Sequence, residues 1–419
     1  MFVYSKNIPY LCTRKIKGTL AEWLGNGLQN RVRRFESARY LTLGGARVRL
    51  LFVLSPLRLE TKGLIRKEQM PYPMYRVFKI LFICFICFPS STKQTIIAQD
   101  TKKDDIRFTY NVDNFNFFDN REVHSPHQHS QTLFGTRLEV EVGLQFEANT
   151  IMAGVMGVKD FGQSGIAQKD LTLYYHYEEG HLSGAFGAFP RSQLKQELPD
   201  IFIYDSLRYY SPILHGALIQ FTSNYGYAEF YCNWINKQGI NEREIFELVT
   251  DGRFGHKGYY FGWNVQLTHF SVPQPHNGLH VYDKLMIHPH VGIEKSQLCW
   301  ADAFSIDMGL MLSLNRDRKD MLWKSPMGFL GEIKLRKWRF ELRDRLYAGN
   351  PQFSDYETHG SQLHRGDPYY RSSLYNRTDI CFYLLNRINV QCYLGASFHY
   401  TEKALDTSQQ VILRVCPRF

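Results

Sequence analysis

His269 and Ser271 stand two residues apart at the end of a run in which Tyr259, Phe261, Trp263, Val265 and Leu267 occupy every second position. Residues i and i+2 of an extended chain share a face, so the imidazole and the hydroxyl continue that apolar face side by side. A histidine in reach of a serine hydroxyl can take its proton and make it a nucleophile toward an acyl ester. A second set is cationic. Lys334, Arg336, Arg339, Arg343 and Arg345 fall on one face of a hairpin around Lys337-Trp338, together with Glu332 and Glu341. Such a wall attracts anions or orients polar solutes. Paired with Glu139, Glu141 and Glu147 from other strands, it becomes a ladder of ion pairs instead. A third set is His124-Ser-Pro-His-Gln-His129, whose imidazoles suit Zn²⁺ or Cu²⁺, although Glu122 is the one carboxylate near it at ligand spacing. His288-Pro-His290 offers two more imidazoles. Neither group gathers a full ligand set along the sequence, so no metal centre and no cofactor are expected. Arg365-Gly-Asp-Pro368 reads as a turn.

The elements that position these groups follow from composition and pattern. Apolar residues are 44% of the 419, aromatics 15% and charged residues 21%. Mean hydropathy is −0.33, too polar for a bundle of membrane helices. The net charge of +10 suggests nucleic acid until it is located. Residues 1–98 hold 17 of the 50 Lys/Arg and 4 of the 40 Asp/Glu, which leaves 33 and 36 for residues 99–419. The larger part of the chain is slightly acidic, and no nucleic-acid partner is expected.

The basic excess has its own explanation. Residues 17–42 resemble an in-frame translation of a bacterial tRNA gene: Arg34-Phe-Glu-Ser37 can be encoded by the T-arm consensus, and Leu28-Gln-Asn30 by an anticodon loop. The rival reading is a basic amphipathic arm. Residues 1–69 are accordingly expected to be a non-native extension, with the start at Met70 or Met74. Residues 70–98 read as a secretory signal: Arg76 and Lys79, the apolar run Ile80–Phe88, then Ala98 before the cleavage point. Residues 99–419 remain as the mature chain.

That mature chain alternates. Phe134, Leu138, Val140, Val142 and Leu144 interleave with Arg137, Glu139, Glu141 and Gly143. The same period of two runs through Phe304–Asn315 and Ile388–Tyr400. Strands of ten to fifteen residues with one apolar face match a tilted transmembrane barrel better than a sandwich. Short and long connections alternate almost throughout, as periplasmic turns and extracellular loops do. The expected architecture is an all-β, antiparallel transmembrane barrel of about 16 strands. Its lumen is too wide for side chains alone to fill, and loops 191–212 and 349–370 could fold inward to constrict it. The chain ends on Val411, Leu413, Val415, Pro417 and Phe419; a terminal aromatic on an alternating last strand resembles an assembly signal for the barrel-assembly machinery.

As a whole, residues 99–419 resemble porin-like barrels of the Bacteroidota outer membrane, on Phe117-Phe-Asp-Asn-Arg-Glu122, Gln131-Thr-Leu-Phe-Gly135, Tyr204-Asp-Ser-Leu-Arg-Tyr-Tyr210 and Tyr375-Asn-Arg-Thr-Asp379. The resemblance implies an outer-membrane location, contact with outer-membrane lipid, and small solutes as partners. The expected function is passive diffusion of small polar or anionic solutes past Lys334, Arg336, Arg339, Glu341, Arg343, Arg345, Glu139 and Glu141, with no enzymatic activity. Two alternatives stand beside it. His269-x-Ser271 at the outer leaflet resembles outer-membrane phospholipases and lipid A deacylases, although no Asn directly follows Ser271 and Asn277 lies in a loop. The other alternative is a secreted β-sandwich that binds through surface aromatics.

Overall fold

The computed structural model describes residues 106–275, 278–298, 300–319 and 322–417. The tRNA-like segment, the signal peptide, Asn277 and the terminal Phe419 lie outside the described residues. Alternation converts directly into strands: β1 (Arg107–Glu122), β2 (Gln131–Phe146), β3 (Asn149–Asp160), β4 (Gln168–Glu179), β5 (Leu182–Pro190) and β6 (Ile213–Ser223). These are followed by β7 (Gly226–Asn236), β8 (Ile245–His256), β9 (Tyr259–Phe270), β10 (Tyr282–Leu298) and β11 (Ala301–Asp317). After the two-residue β12 (Trp323–Lys324) come β13 (Met327–Lys337), β14 (Phe340–Gly349), β15 (Leu374–Arg387), β16 (Val390–Thr401) and β17 (Leu405–Val415). Each long strand pairs antiparallel with its sequence neighbours, and β1 pairs with both β2 and β17. The sheet therefore closes on itself without a free edge. With β12 set aside as a short ribbon on β11, sixteen long strands make the wall, as the alternation predicts.

Two-residue turns such as 147–148, 257–258 and 338–339 join strands at one rim, where Glu147, Lys257 and Trp338 take positive φ. That is the turn geometry whose twist matches paired strands. The longer connections lie at the other rim. Outward positions are apolar and exposed, among them Leu138, Leu144, Val155, Leu173, Phe186, Phe261, Leu310 and Ile333. Inward positions are polar and buried, among them Arg137, Glu139, Glu141, Gln220, Glu229, Glu247 and Asp251. A surface that is oily outside and charged inside is stable only with lipid as its solvent, where a closed sheet satisfies every backbone group. The molecule is a transmembrane barrel of the outer-membrane type. Polar groups interrupt the outward face in places, and they pair with one another: Asp344 accepts hydrogen bonds from Asn376 (3.1 Å) and Thr378 (2.6 Å).

The lumen is filled by the two segments that the sequence marks as long loops. Residues 191–212 carry helix α1 (Asp205–Tyr210), and 350–373 carry α2 (Tyr356–Leu363). Leu198, Ile201, Phe202, Ile203, Phe353, Tyr369 and Tyr370 pack with Tyr174, Tyr231 and Tyr347 of the wall into one buried cluster. The segments also hold each other, with Tyr204 N donating to Arg365 O and Asp367 N to Asp200 O, both at 2.8 Å. Inward folding buries backbone polar groups, and these bonds satisfy them.

Candidate active site at the outer rim

Strand register lines up one row of outward side chains at the upper ends of β7 to β11. Trp234 stands opposite Phe246, Phe246 opposite His269, His269 opposite Asp283, and Asp283 opposite Arg316. Trp234 stacks on Phe246 with ring centroids 5.0 Å apart, and Phe246 lies 5.0 Å from the His269 ring. His269 Nδ1 is 2.8 Å from Asp283 Oδ1. The other carboxylate oxygen of Asp283 accepts from Arg318 Nε at 2.8 Å. The carboxylate is thus held from both sides, and it orients the imidazole so that Nε2 is left for a proton.

Ser271 directly follows β9 and continues its outward alternation, as the sequence places it. Its backbone is fixed: Ser271 N donates to Glu244 O at 2.9 Å, and Arg243 Nε donates to Ser271 O at 2.6 Å. Arg243 also donates to His280 O and lies over the Phe270 ring, 3.8 Å from its centroid. One guanidinium therefore ties the end of β9 to the loop that leads into β10. Among the described residues no hydrogen bond joins Ser271 Oγ to His269, so the hydroxyl must rotate to meet Nε2; such bonds often tighten only with substrate in place. The structure sets Asp283, which sequence reasoning did not single out, beside His269, and leaves Ser271 two residues further along the chain with no contact to the imidazole among the described residues. The signal for Asp283 was a lone carboxylate on the apolar face that Leu285 and Ile287 continue, but finding it required the β9–β10 register.

The cationic wall is present and mostly neutralised. Arg343 pairs with Glu332 (2.7 Å) and Lys334 with Glu341 (3.3 Å). Arg345 is buried between Asp200 and Asp379. Arg336 lies over Tyr383 and Arg339 over Trp338. The partners are not those proposed for the ladder. Glu139 and Glu141 sit on β2, buried, and Glu141 accepts from Asn111 at 3.1 Å. Glu147 stands in an exposed turn. The His124–His129 loop does not gather its imidazoles; His127 Nε2 is 2.9 Å from Ser372 Oγ.

Comparison with solved structures finds similarity at the level of fold. OccK8 (OprE) of Pseudomonas aeruginosa has 10% identity and TM-score 0.45, covering 74% of this chain and 98% of that one. A loop-deletion mutant of OmpT of Vibrio cholerae has 9% identity and TM-score 0.47, covering 75% and 100%. An anion-selective porin from Comamonas acidovorans has 10% identity and TM-score 0.44, again covering 75% and 100%. Curated protein sequences give no match. Residues 99–419 match the family described as Lipid A 3'-O-deacylase-type. That match overturns the expectation of a barrel without enzymatic activity, because the family is named for an ester hydrolysis. The chain belongs to the lipid A 3'-O-deacylase-type family.

Proposed function

We propose that this barrel hydrolyses an acyl ester of an outer-leaflet glycolipid of the lipid A class, with Ser271 as nucleophile, His269 as base and Asp283 as its orienting partner. The observation that carries this reading is the 2.8 Å His269–Asp283 contact on the lipid-facing surface, with Ser271 two residues on. In the first half-reaction His269 Nε2 takes the Ser271 proton, and Oγ attacks the ester carbonyl. Collapse of the tetrahedral adduct breaks the bond to the sugar oxygen, which leaves with the proton from His269. Water then gives its proton to His269 and attacks the acyl-serine, releasing a fatty acid and restoring Ser271. Asp283 stabilises the imidazolium formed in both halves and stays ionised.

The location suits the substrate. An acyl ester lies where oily chains meet the polar headgroup, and the Trp234–Phe246–His269 row stands at the strand ends beside the long connections, where interfacial aromatics belong. Arg318, about half exposed, is placed to attract a headgroup phosphate. The family name supplies the 3'-O position as the expected bond. The test is to add lipid A in mixed micelles to the purified barrel and weigh the product by mass spectrometry. The expected result is loss of one acyl chain and appearance of one free fatty acid, abolished by Ser271→Ala. Equal release by Ser271→Ala overturns the assignment.

A second reading, passage of small solutes through the lumen, has one observation in its favour. A cavity of about 230 Å³ lies between the inner segment at Pro190–Leu198 and a charged wall of Asp113, Arg137, Glu139 and Arg414. Conductance in a planar bilayer tests it, and a barrel that remains closed to ions removes it.

A further inference from the structure

Inside the barrel, behind the wall that carries the outer row, three potential ligands converge. His288 and His290 occupy successive inward positions of β10, and Asp307 faces inward from β11. One donor atom from each lies within 4.8 Å of the others. They line a cavity of about 90 Å³. We propose that His288, His290 and Asp307, with the amide oxygen of Asn264, form a binding site for a divalent transition ion of the Zn²⁺ class.

Each ligand is oriented by a second contact. Pro289 has no N–H to give Leu310, the residue it faces across the ladder, and His288 Nδ1 sits 3.0 Å from that Leu310 carbonyl. A ring nitrogen bonded to a carbonyl must carry the proton, which leaves Nε2 of His288 with its lone pair. His290 Nδ1 is 2.5 Å from Asp307 Oδ2, which also accepts from Tyr260 OH at 2.8 Å. His290 Nε2 and Asp307 Oδ1 are left over. The two imidazoles are stacked, with centroids 4.9 Å apart and planes 10° from parallel.

Two independent observations point to a ligand. Asn264, opposite His288 on β9, is buried, and its amide oxygen has no hydrogen-bond partner among the described residues. An unpaired buried acceptor costs about 1–3 kcal/mol unless something satisfies it. Glycines also flank His290 on both neighbouring strands, Gly262 on β9 and Gly309 on β11. A Cβ at Gly262 would run into the His290 ring, and one at Gly309 into the Pro289 carbonyl, the His288 ring and the Cβ of His290. Both strands give up a side chain where the rings need room. The arginines on the cavity do not oppose a cation. Arg253 pairs with Glu294, Arg343 with Glu332, and Arg345 with Asp200.

Two imidazoles and a carboxylate, with an amide oxygen or water as fourth ligand, suit Zn²⁺ and Co²⁺ and not Mg²⁺ or Ca²⁺. The site takes no part in the outer chemistry, since it opens to the lumen and lies about 17 Å along the strand from Asp283 at ~3.4 Å per residue. It ties together β9, β10 and β11, two of which carry His269 and Asp283. Its failure leaves the Ser271 reading untouched.

The test uses the full barrel purified in detergent, stripped with chelator and titrated with Co²⁺ and then Zn²⁺. The expected result is one equivalent of Co²⁺ with the visible absorption of a four-coordinate ion, displacement by Zn²⁺, and a raised temperature for loss of the fast-migrating folded band on a gel. His290→Gln and Asp307→Asn, checked for assembly by that same band, should bind at least 100-fold more weakly. Tyr260→Phe, which touches no metal, should weaken binding roughly 10- to 100-fold. A double substitution in the outer loop, His124→Ala with His129→Ala, should change nothing. No uptake by the native chain overturns the proposal, as does uptake that survives His290→Gln or disappears with the outer-loop variant.

Discussion

At the scale of single residues, the outer row concentrates its chemistry in a few atoms whose partners are fixed. Asp283 has its two oxygens committed to His269 and Arg318, so it cannot turn away from the imidazole. Asp283→Asn keeps the shape and removes the charge that stabilises the imidazolium, and an amide can hold the ring in the wrong tautomer. The deacylation rate should fall by roughly 10⁴-fold with assembly unchanged, measured as fatty acid released per barrel. A fall of less than tenfold would mean that His269 works without its carboxylate. Phe246→Ala tests a different contribution. The ring supports His269 from the β8 side, and its loss should lower turnover while leaving the Ser271 hydroxyl available to slow acylating probes.

Elements decide which of these positions the sequence could reveal. Period-two alternation marked nearly every strand, and it put His269 and Ser271 on the outer face because the period allows no other assignment once Phe261 and Leu267 face lipid. Alternation says nothing of what stands beside a residue, so Asp283 needed the register across the 271–281 connection. Nor does it tell an open lumen position from a filled one. Gly309 and Ser313 both face inward, yet Gly309 is pressed against His288 and Pro289, and Ser313 is fully buried and donates to Gln352 at 2.6 Å. On β11, Leu310→Arg should impair insertion by about 2–4 kcal/mol at mid-membrane. Ser305→Arg, inward and partly open, should assemble normally, whereas Gly309→Arg should fail for lack of space. Equal yields of heat-modifiable barrel from Leu310→Arg and Ser305→Arg would contradict the facing. The inner segment at α2 makes a pH prediction. Burial, and next the Lys284 ammonium beside it, push His364 from 6.5 down to about 2. The released segment takes up a proton near pH 6.5 that the docked one refuses, so this contribution to docking is intact above about 6.5 and is lost as pH falls. Amide exchange over 356–364, corrected for intrinsic rate, should be faster at pH 5 than at pH 7.5, and His364→Gln should flatten that difference.

At the scale of the whole molecule, Asp200 is central among the carboxylates that join the inner segments to the wall. Asp200 is almost fully buried and meets Arg345 and Arg377 of the wall and Arg208 of α1, the last two at 3.1 and 2.9 Å. Removing one partner from such a buried cluster costs about 3–5 kcal/mol, because Arg345, Arg377 and Arg208 then share fewer carboxylates, Asp379 and Asp205 among them. Asp200→Asn should therefore loosen residues 191–212 without opening the wall, which is closed by its own ladder. The native barrel should pass little current in a planar bilayer. The variant should conduct in steps and favour anions, since Arg345 and Arg377 would then border the opened path. Lipid deacylation should be unaffected, because Ser271, His269 and Asp283 lie on the other side of the wall. A variant as closed as the native chain would place the hold in the apolar cluster around Ile201 and Phe202 instead. A native barrel that already conducts freely would mean that the packed segments do not block the lumen, and would keep solute passage as an activity separate from the chemistry at the rim.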